Sequence, residues 1–335
     1  MLLKIIRETS HLRASARAAM GTAQAWGARR MAQDSRLRDS ASSVARLALV
    51  SLGVGVAVLA LKAIAAWLTG SIALYSDALE TVVNVVTALI ALIAVRLAAR
   101  PADAALPYGY GKAEYFSAVI IGVFIALAAL LIFYQAWQGF VAPHAVIPDP
   151  VGIAVSVAAT LINAGWAYVL MRSGTRERSP SLVADARHLF TDVISTVAVI
   201  IGVLAAIATG YHRLDAILAA FVGFAVLWSG WHVIRESVVG LMDVSVDPKR
   251  LALIRELIAA NAEGAIEAHD IRTRQAGRLT FIEFHLVVAG AMSVEAAHAI
   301  CDRIEAKLRE AVGEAQITIH VEPEEKAKHS GIVVV

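Results

Sequence analysis

The sequence is poor in cysteine, in charge and, over its first stretch, in acid. Its one cysteine is Cys301, among 335 residues. That excludes an internal disulfide framework and any thiolate-rich metal cage built within one chain. Charged residues are only 17% of the sequence and apolar ones 58%, with mean hydropathy +0.66. Soluble domains carry roughly 25% charged and 45–50% apolar residues. The excess apolar surface needs a second apolar solvent, and a lipid bilayer supplies one. A formal net charge of +2 is too small to point to nucleic acid, so no such partner is expected. No nucleophile motif accompanies the histidines, so the chain does not read as an enzyme.

Residues 1–45 also lack a long apolar run. A secretory signal needs an apolar core of about 7–15 residues after its basic start. What this stretch has is Lys4, Arg7, Arg13, Arg17, Arg29, Arg30, Arg36 and Arg38, with few acids. It reads as a basic cytoplasmic extension resting near anionic lipid. The same composition also suits a mitochondrial transit peptide.

Long apolar runs are abundant further on. About 20 apolar residues cross the hydrocarbon core as a helix, and six runs qualify: about 46–68, 72–97, 115–137, 151–171, 182–208 and 214–234. Arg96, Arg100 and Lys112 lie between the second and third, and Arg172, Arg176 and Arg178 between the fourth and fifth. The opposite connections contain only Arg213. The positive-inside rule then puts both termini in the cytoplasm, and an even number of spans agrees. Short loops with basic inner faces suit a bacterial plasma membrane. The expected domains are the extension 1–45, a six-helix transmembrane domain 46–243, a soluble domain 244–323 and a flexible tail 324–335.

The soluble segment is charged and mixed. Leu251, Ile254, Leu257 and Ile258 have helical spacing over 249–260. Residues 270–275 and 280–288 alternate like strands. Ser293, with Glu295 behind it, opens a second helix to about residue 311, and 316–321 alternates again. Helix–strand–strand–helix–strand predicts a small α+β domain with its helices on one face of a sheet.

Ionisable residues inside the spans carry the chemistry. A charge near the bilayer centre costs at least about 2.5–3.5 kcal/mol on insertion scales, so it needs a partner, water or a function. Span two holds Asp77, Glu80 and Asn84, and span five holds Asp185, His188 and Asp192. Both trios follow i, i+3, i+7 and therefore lie on one helix face. The inner pairs, Glu80 with Asn84 and His188 with Asp192, offer two carboxylates, an amide oxygen and an imidazole. Zinc favours nitrogen and carboxylate ligands in a tetrahedron. A set without thiolate also admits manganese, iron, cobalt or nickel. The imidazole must be neutral to bind metal, so binding expels a proton. Interhelical hydrogen bonding without metal is the alternative use of such residues. Asp77 and Asp185 read as structural. Lys62 can snorkel or pair with an acid, and Asp215 complements a helix start.

Four stretches resemble one known family. They are Ser76-Asp77-Ala78 with Glu80 and Asn84; Arg100-Pro101-Ala102-Asp103 followed by Pro107-Tyr108-Gly109-Tyr110-Gly111-Lys112-Ala113-Glu114; Asp185-Ala186-Arg187-His188 with Asp192; and His269-Asp270-Ile271-Arg272-Thr273-Arg274-Gln275. Over residues 45–323 the sequence is similar to the cation diffusion facilitators, or cation-efflux proteins. The resemblance implies a homodimer of six-helix protomers, each with a ferredoxin-like cytoplasmic domain. It also implies export of divalent metal, as substrate rather than prosthetic group, against an inward flow of protons. It maps the transport site onto Glu80, Asn84, His188 and Asp192, where Glu80 and Asn84 depart from the usual Asp or His and Asp.

The resemblance further implies a regulatory metal site in the cytoplasmic domain, at His269, His285, His298, His320 and Glu322. A third family site, in the loop after span two, keeps Asp103 but has Leu106 and Tyr110 where histidines would stand, and is expected to be absent or weak. Lys112 and Asp243 match residues that form inter-subunit or interdomain salt links in some members. A dimeric metal-sensing scaffold that transports little is the alternative function.

Overall fold

The computed structural model describes residues 42–68, 72–142, 150–209, 213–328 and 331–333. The basic extension expected over 1–45 lies outside them, except for its last residues, which already belong to a helix. Six long helices come first: α1 (Ser42–Leu68), then α2 (Ile72–Ala98), α3 (Ala113–Val141), α4 (Pro150–Glu177), α5 (Pro180–Thr209) and α6 (Arg213–Leu241). Among the described residues, all but α5 contain a stretch long and apolar enough to cross a membrane. In α5 the first half carries Asp185, Arg187 and Asp192, of which Asp192 belongs to the candidate site. α3, α4 and α6 also run further at their C-terminal ends than the apolar runs at 115–137, 151–171 and 214–234 suggested. Polar ends extend a helix beyond the apolar stretch wherever packing continues.

Outside the polar stripes of α2 and α5, these helices are largely apolar, as expected for helices in lipid. Trp67, Phe221, Phe224, Trp228 and Trp231 are exposed, and lipid is the medium that suits such a surface. Inside, small residues let the backbones approach. A Cβ placed on Gly230 of α6 would lie 3.1 Å from the Gly122 carbonyl oxygen of α3. Ala118, Ile121, Ile125 and Ala129 of α3 pack with Val226 and Val233 of α6 in one buried cluster. A second cluster joins Val44 and Ala48 of α1, Leu92 and Val95 of α2, Ala167 and Leu170 of α4, and Leu182, Ala186 and Leu189 of α5.

The C-terminal domain follows as α7 (Pro248–Asn261), β1 (Glu267–Ala276), β2 (Leu279–Val288), α8 (Val294–Val312), β3 (Ala315–Pro323), a 3₁₀ turn (Glu324–Lys326) and β4 (Ile332–Val333). Both helices are capped by side chains. Asp247 accepts from the Arg250 amide at 3.0 Å, and Ser293 from the Ala296 amide at 3.1 Å. The sheet order is β3-β2-β1-β4, with β1–β2 antiparallel and β2–β3 parallel. Ile254 and Ile258 of α7 and Ile304 and Leu308 of α8 share one buried core with Ile282, Phe284 and Leu286 of β2. This is the α+β fold expected from the pattern, with one addition. The stretch read as a flexible tail contributes β4, which pairs Val333 with Glu267 and Ile332 with Ala268. Two residues are too few to show an alternation.

The β1–β2 turn, Gly277-Arg278, sits against the loop before α3. Gly277 has φ +60, and a Cβ on it would lie 3.1 Å from the Gly111 carbonyl oxygen. Lys112 and Asp243, expected as an inter-subunit or interdomain pair, meet within one chain at 3.0 Å. Arg274 adds a second contact to the same Asp243 oxygen at 3.3 Å. The Arg274 guanidinium also lies 4.0 Å from the Phe281 ring and 4.8 Å from that of Tyr108. The soluble hairpin is therefore fastened to the ends of α3 and α6.

Candidate metal centres

The membrane centre is built where α2, α4 and α5 meet. Asn84, 4% exposed, donates from Nδ2 to Asp192 Oδ2 at 3.0 Å. His188 lies one turn before Asp192 on α5. It is 5% exposed, and neither of its buried ring nitrogens has a hydrogen-bond partner. Two unpartnered imidazole nitrogens are costly inside a helix bundle, and a divalent ion would satisfy one of them. Glu80 stands one helical turn before Asn84 on α2; its side chain lies outside the described residues, as do those of Asp77 and Asp215. The structure thus brings together Asn84, His188 and Asp192 from the expected four.

One contributor was missed by sequence reasoning. Asn163 of α4 is 3% exposed and donates from Nδ2 to the same Asp192 oxygen at 3.2 Å. Its signal was an amide in mid-span, one turn after Thr160 and two after Ser156 on the same face of α4.

Asp185, expected to be structural, is held on one oxygen, while its buried Oδ1 has no hydrogen-bond partner. Its Oδ2 accepts from Ser51 of α1 at 2.6 Å. Lys62 is buried within α1 at 4% exposed, so it does not snorkel to the surface.

In the α2–α3 loop, Asp103 is a turn-former. It accepts from the Tyr110 hydroxyl at 2.6 Å and from the Leu106 and Ala105 amides at 2.8 and 2.9 Å. The Tyr110 bond first, then the Leu106 amide, hold its carboxyl below the usual carboxylate range.

The second centre crosses the sheet of the C-terminal domain. Register pairs His269 of β1 with His285 of β2, and His285 with His320 of β3. The three imidazoles form a row, with neighbouring ring centroids 5.3 and 5.0 Å apart. Glu322, two residues beyond His320, reaches along it. Its carboxylate lies 3.3 Å from His269 Nε2, 3.2 Å from His285 Nδ1 and 3.7 Å from His320 Nε2. Neither His269 nitrogen nor His285 Nδ1 is in hydrogen-bonding geometry with any partner. These distances therefore describe electrostatic proximity, and the donors remain available. Three imidazoles and a carboxylate fit a zinc-like divalent ion.

His298 stands apart from the row. On α8 it is 3.7 Å from Asp302, and it shares with Glu322 the lining of an open groove of about 460 Å³.

Two acids near the row were not foreseen. Glu267 lies 3.4 Å from His269 Nδ1 and accepts from the Gly331 amide at 3.1 Å. Asp270 shares a compact cluster with His269 and His285, their ligand atoms all within 4.8 Å of one another. A bulge between His269 and Arg272, with Asp270 at φ +52, turns it there. Lys328 pairs with it at 2.6 Å and lowers its carboxyl pKa.

The chain matches the profile of the cation efflux transmembrane domain over residues 48–242 and that of the cation efflux protein cytoplasmic domain over 246–324. It belongs to the cation-efflux, or cation diffusion facilitator, family. Among similar relatives, an uncharacterized transporter of Synechocystis is 41% identical over 84% of this chain and 91% of its own length. A cation-efflux pump FieF of Cronobacter sakazakii is 32% identical over 85% of this chain and 94% of its own. A solved structure described as a putative zinc transporter CzrB in its zinc form is 45% identical over 26% of this chain and 98% of its own, with TM-score 0.25. As a cation-efflux protein, the chain is a multi-pass membrane protein of a family that moves divalent metal ions out of the cell interior.

Proposed function

We propose that the chain is a homodimeric exchanger in the plasma membrane. It exports a divalent transition-metal ion, zinc foremost, from the cytoplasm in exchange for protons. Both termini face the cytoplasm, and the transport ligands are Glu80, Asn84, His188 and Asp192. The observation that carries this reading is the contact of Asn84 with Asp192 across α2 and α5, beside a buried His188 whose ring nitrogens have no partner.

The chemistry follows from those groups. A neutral imidazole ligates metal and a protonated one cannot. Asp192 supplies negative charge at an expense in desolvation that a divalent ion offsets. Asn84 donates to Asp192 through Nδ2 and would turn its carbonyl oxygen inward to ligate. Protons arriving from the far side compete for His188 and Asp192 and eject the ion. In the cytoplasmic domain, His269, His285, His320 and Glu322, with His298 from α8, would hold a regulatory ion. That ion tightens the domain and, through the hairpin at Lys112, Asp243 and Arg274, biases the membrane helices.

Metal uptake into proteoliposomes with internal pH recorded tests this reading. Uptake coupled to proton movement, and lost in Asp192→Ala, is expected. Metal binding without transport in either orientation would instead favour the sensing scaffold.

A further inference from the structure

We infer that Asn163, on α4, is a positioning residue for the transport carboxylate and sets which ions the site accepts. The inference rests on the transport-site reading above. Asn163 and Asn84 both direct an amide N–H to one oxygen of Asp192, Oδ2, at 3.2 and 3.0 Å. A carboxylate oxygen accepts through two lone pairs, so the two donors fill Oδ2 before the ion binds, and Asn163 alone keeps one lone pair occupied once Asn84 turns, biasing ligation toward Oδ1.

The two amides differ in what metal binding asks of them. Asn84 shares the α2 stripe with Glu80 and must release Asp192 to offer its own oxygen to the ion. Asn163 stands on a third helix, outside the ligand set, and keeps its bond while the ion binds. It is 3% exposed within a membrane-spanning helix, where an amide without a partner would be costly. Its N–H fixes the carboxylate rotamer and holds Oδ2 away from the ion.

Selectivity follows from the coordination this leaves. An aspartate restricted to one oxygen suits a small four-coordinate ion such as Zn²⁺. An aspartate free to chelate with both oxygens raises the coordination number and suits larger ions with oxygen-rich shells. Asn163 thus biases the site toward the smaller ion through Asp192, without touching the metal.

The test compares Zn²⁺ and Mn²⁺ uptake by the full-length protein in proteoliposomes. The variants are Asn163→Leu, which removes the donor at similar volume, Asn163→Gln, which keeps an N–H donor, and Asp192→Ala. Loss of a hydrogen bond to a charged group corresponds to roughly tenfold or more. Asn163→Leu is expected to raise KM for Zn²⁺ about tenfold with little change in kcat, and to shift the Zn²⁺ to Mn²⁺ ratio of kcat/KM toward Mn²⁺ by about the same factor. Asn163→Gln is expected to recover part of both. If Asn163→Leu does not fold, Asn163→Ala is read in the same way. An unchanged KM and ion ratio, with Asp192→Ala inactive, would overturn the role of Asn163 alone. Equal loss for both ions with no recovery in Asn163→Gln would make it a packing residue and overturn it too. Persisting transport in Asp192→Ala would overturn the site itself, and this inference with it.

Discussion

At the scale of single residues, hydrogen-bond partners rather than burial distinguish His188 from Asp185. His188 and Asp185 lie three residues apart on α5, and both are buried, at 5% and 1% exposed. Asp185 has a hydroxyl donor in Ser51 on Oδ2 at 2.6 Å and only Oδ1 unpartnered; His188 has no hydrogen-bond partner at either ring nitrogen. Ser51→Ala should therefore cost stability, about 1–3 kcal/mol for a buried acceptor left unmet, while KM for metal stays as in the wild type. A thermal-shift series in detergent beside an uptake assay separates the two effects.

Asn84, His188 and Asp192, which the structure brings together, were legible because polar residues at i, i+4 inside apolar runs are expensive and paired. Asn163 was not, since one amide in a span has the same signature as ordinary helix glue. Asp270 was hidden for a different reason: a bulge reverses side-chain alternation, and nothing in the sequence marks where a bulge falls.

At the scale of elements, three adjacent strands align His269, His285 and His320 in register, and Glu322 closes the row. The alternation of His320 and Glu322 was readable from the sequence; their alignment with β1 and β2 depended on pairing that a single sequence does not specify. Zinc at 100 times its Kd should stabilise the cytoplasmic domain by about 2.7 kcal/mol. That stabilisation should be lost in His285→Ala and reduced less in His298→Ala, because His298 sits on α8 beside Asp302. Zinc-dependent unfolding of the full-length protein, followed by hydrogen exchange in β1 and β2, checks both.

The hairpin docking gives a pH dependence. Partial burial works to raise the Asp243 pKa, but hydrogen bonds from Lys112 and Arg274 outweigh it and leave the carboxyl below its ordinary value. A depressed carboxylate pKa contributes stability above the unfolded value, about 3.9, and loses it as pH falls through the folded value. Asp243→Asn should accordingly increase exchange in residues 274–281 at neutral pH. The wild type should approach the variant only below about pH 4.

At the scale of the whole molecule, low charge and long apolar runs already dictated a bundle in lipid followed by a soluble α+β domain. The helices follow those runs because a backbone in hydrocarbon must satisfy itself internally. What composition did not reveal was the attachment between the two domains. It depends on Gly111 meeting Gly277 and on Arg274 lying over Tyr108, contacts between segments more than 150 residues apart in sequence. Through that attachment, a metal-induced change in the sheet has a physical route to α3 and α6.

The most direct test of the central claim is uptake of Zn²⁺, Mn²⁺, Fe²⁺, Co²⁺ and Ni²⁺ into proteoliposomes, with internal pH recorded, for wild type and Asp192→Ala. Metal uptake with stoichiometric proton release by the wild type, and neither in the variant, is the expected result. Metal binding by the wild type without flux of any ion under either direction of pH gradient would contradict it.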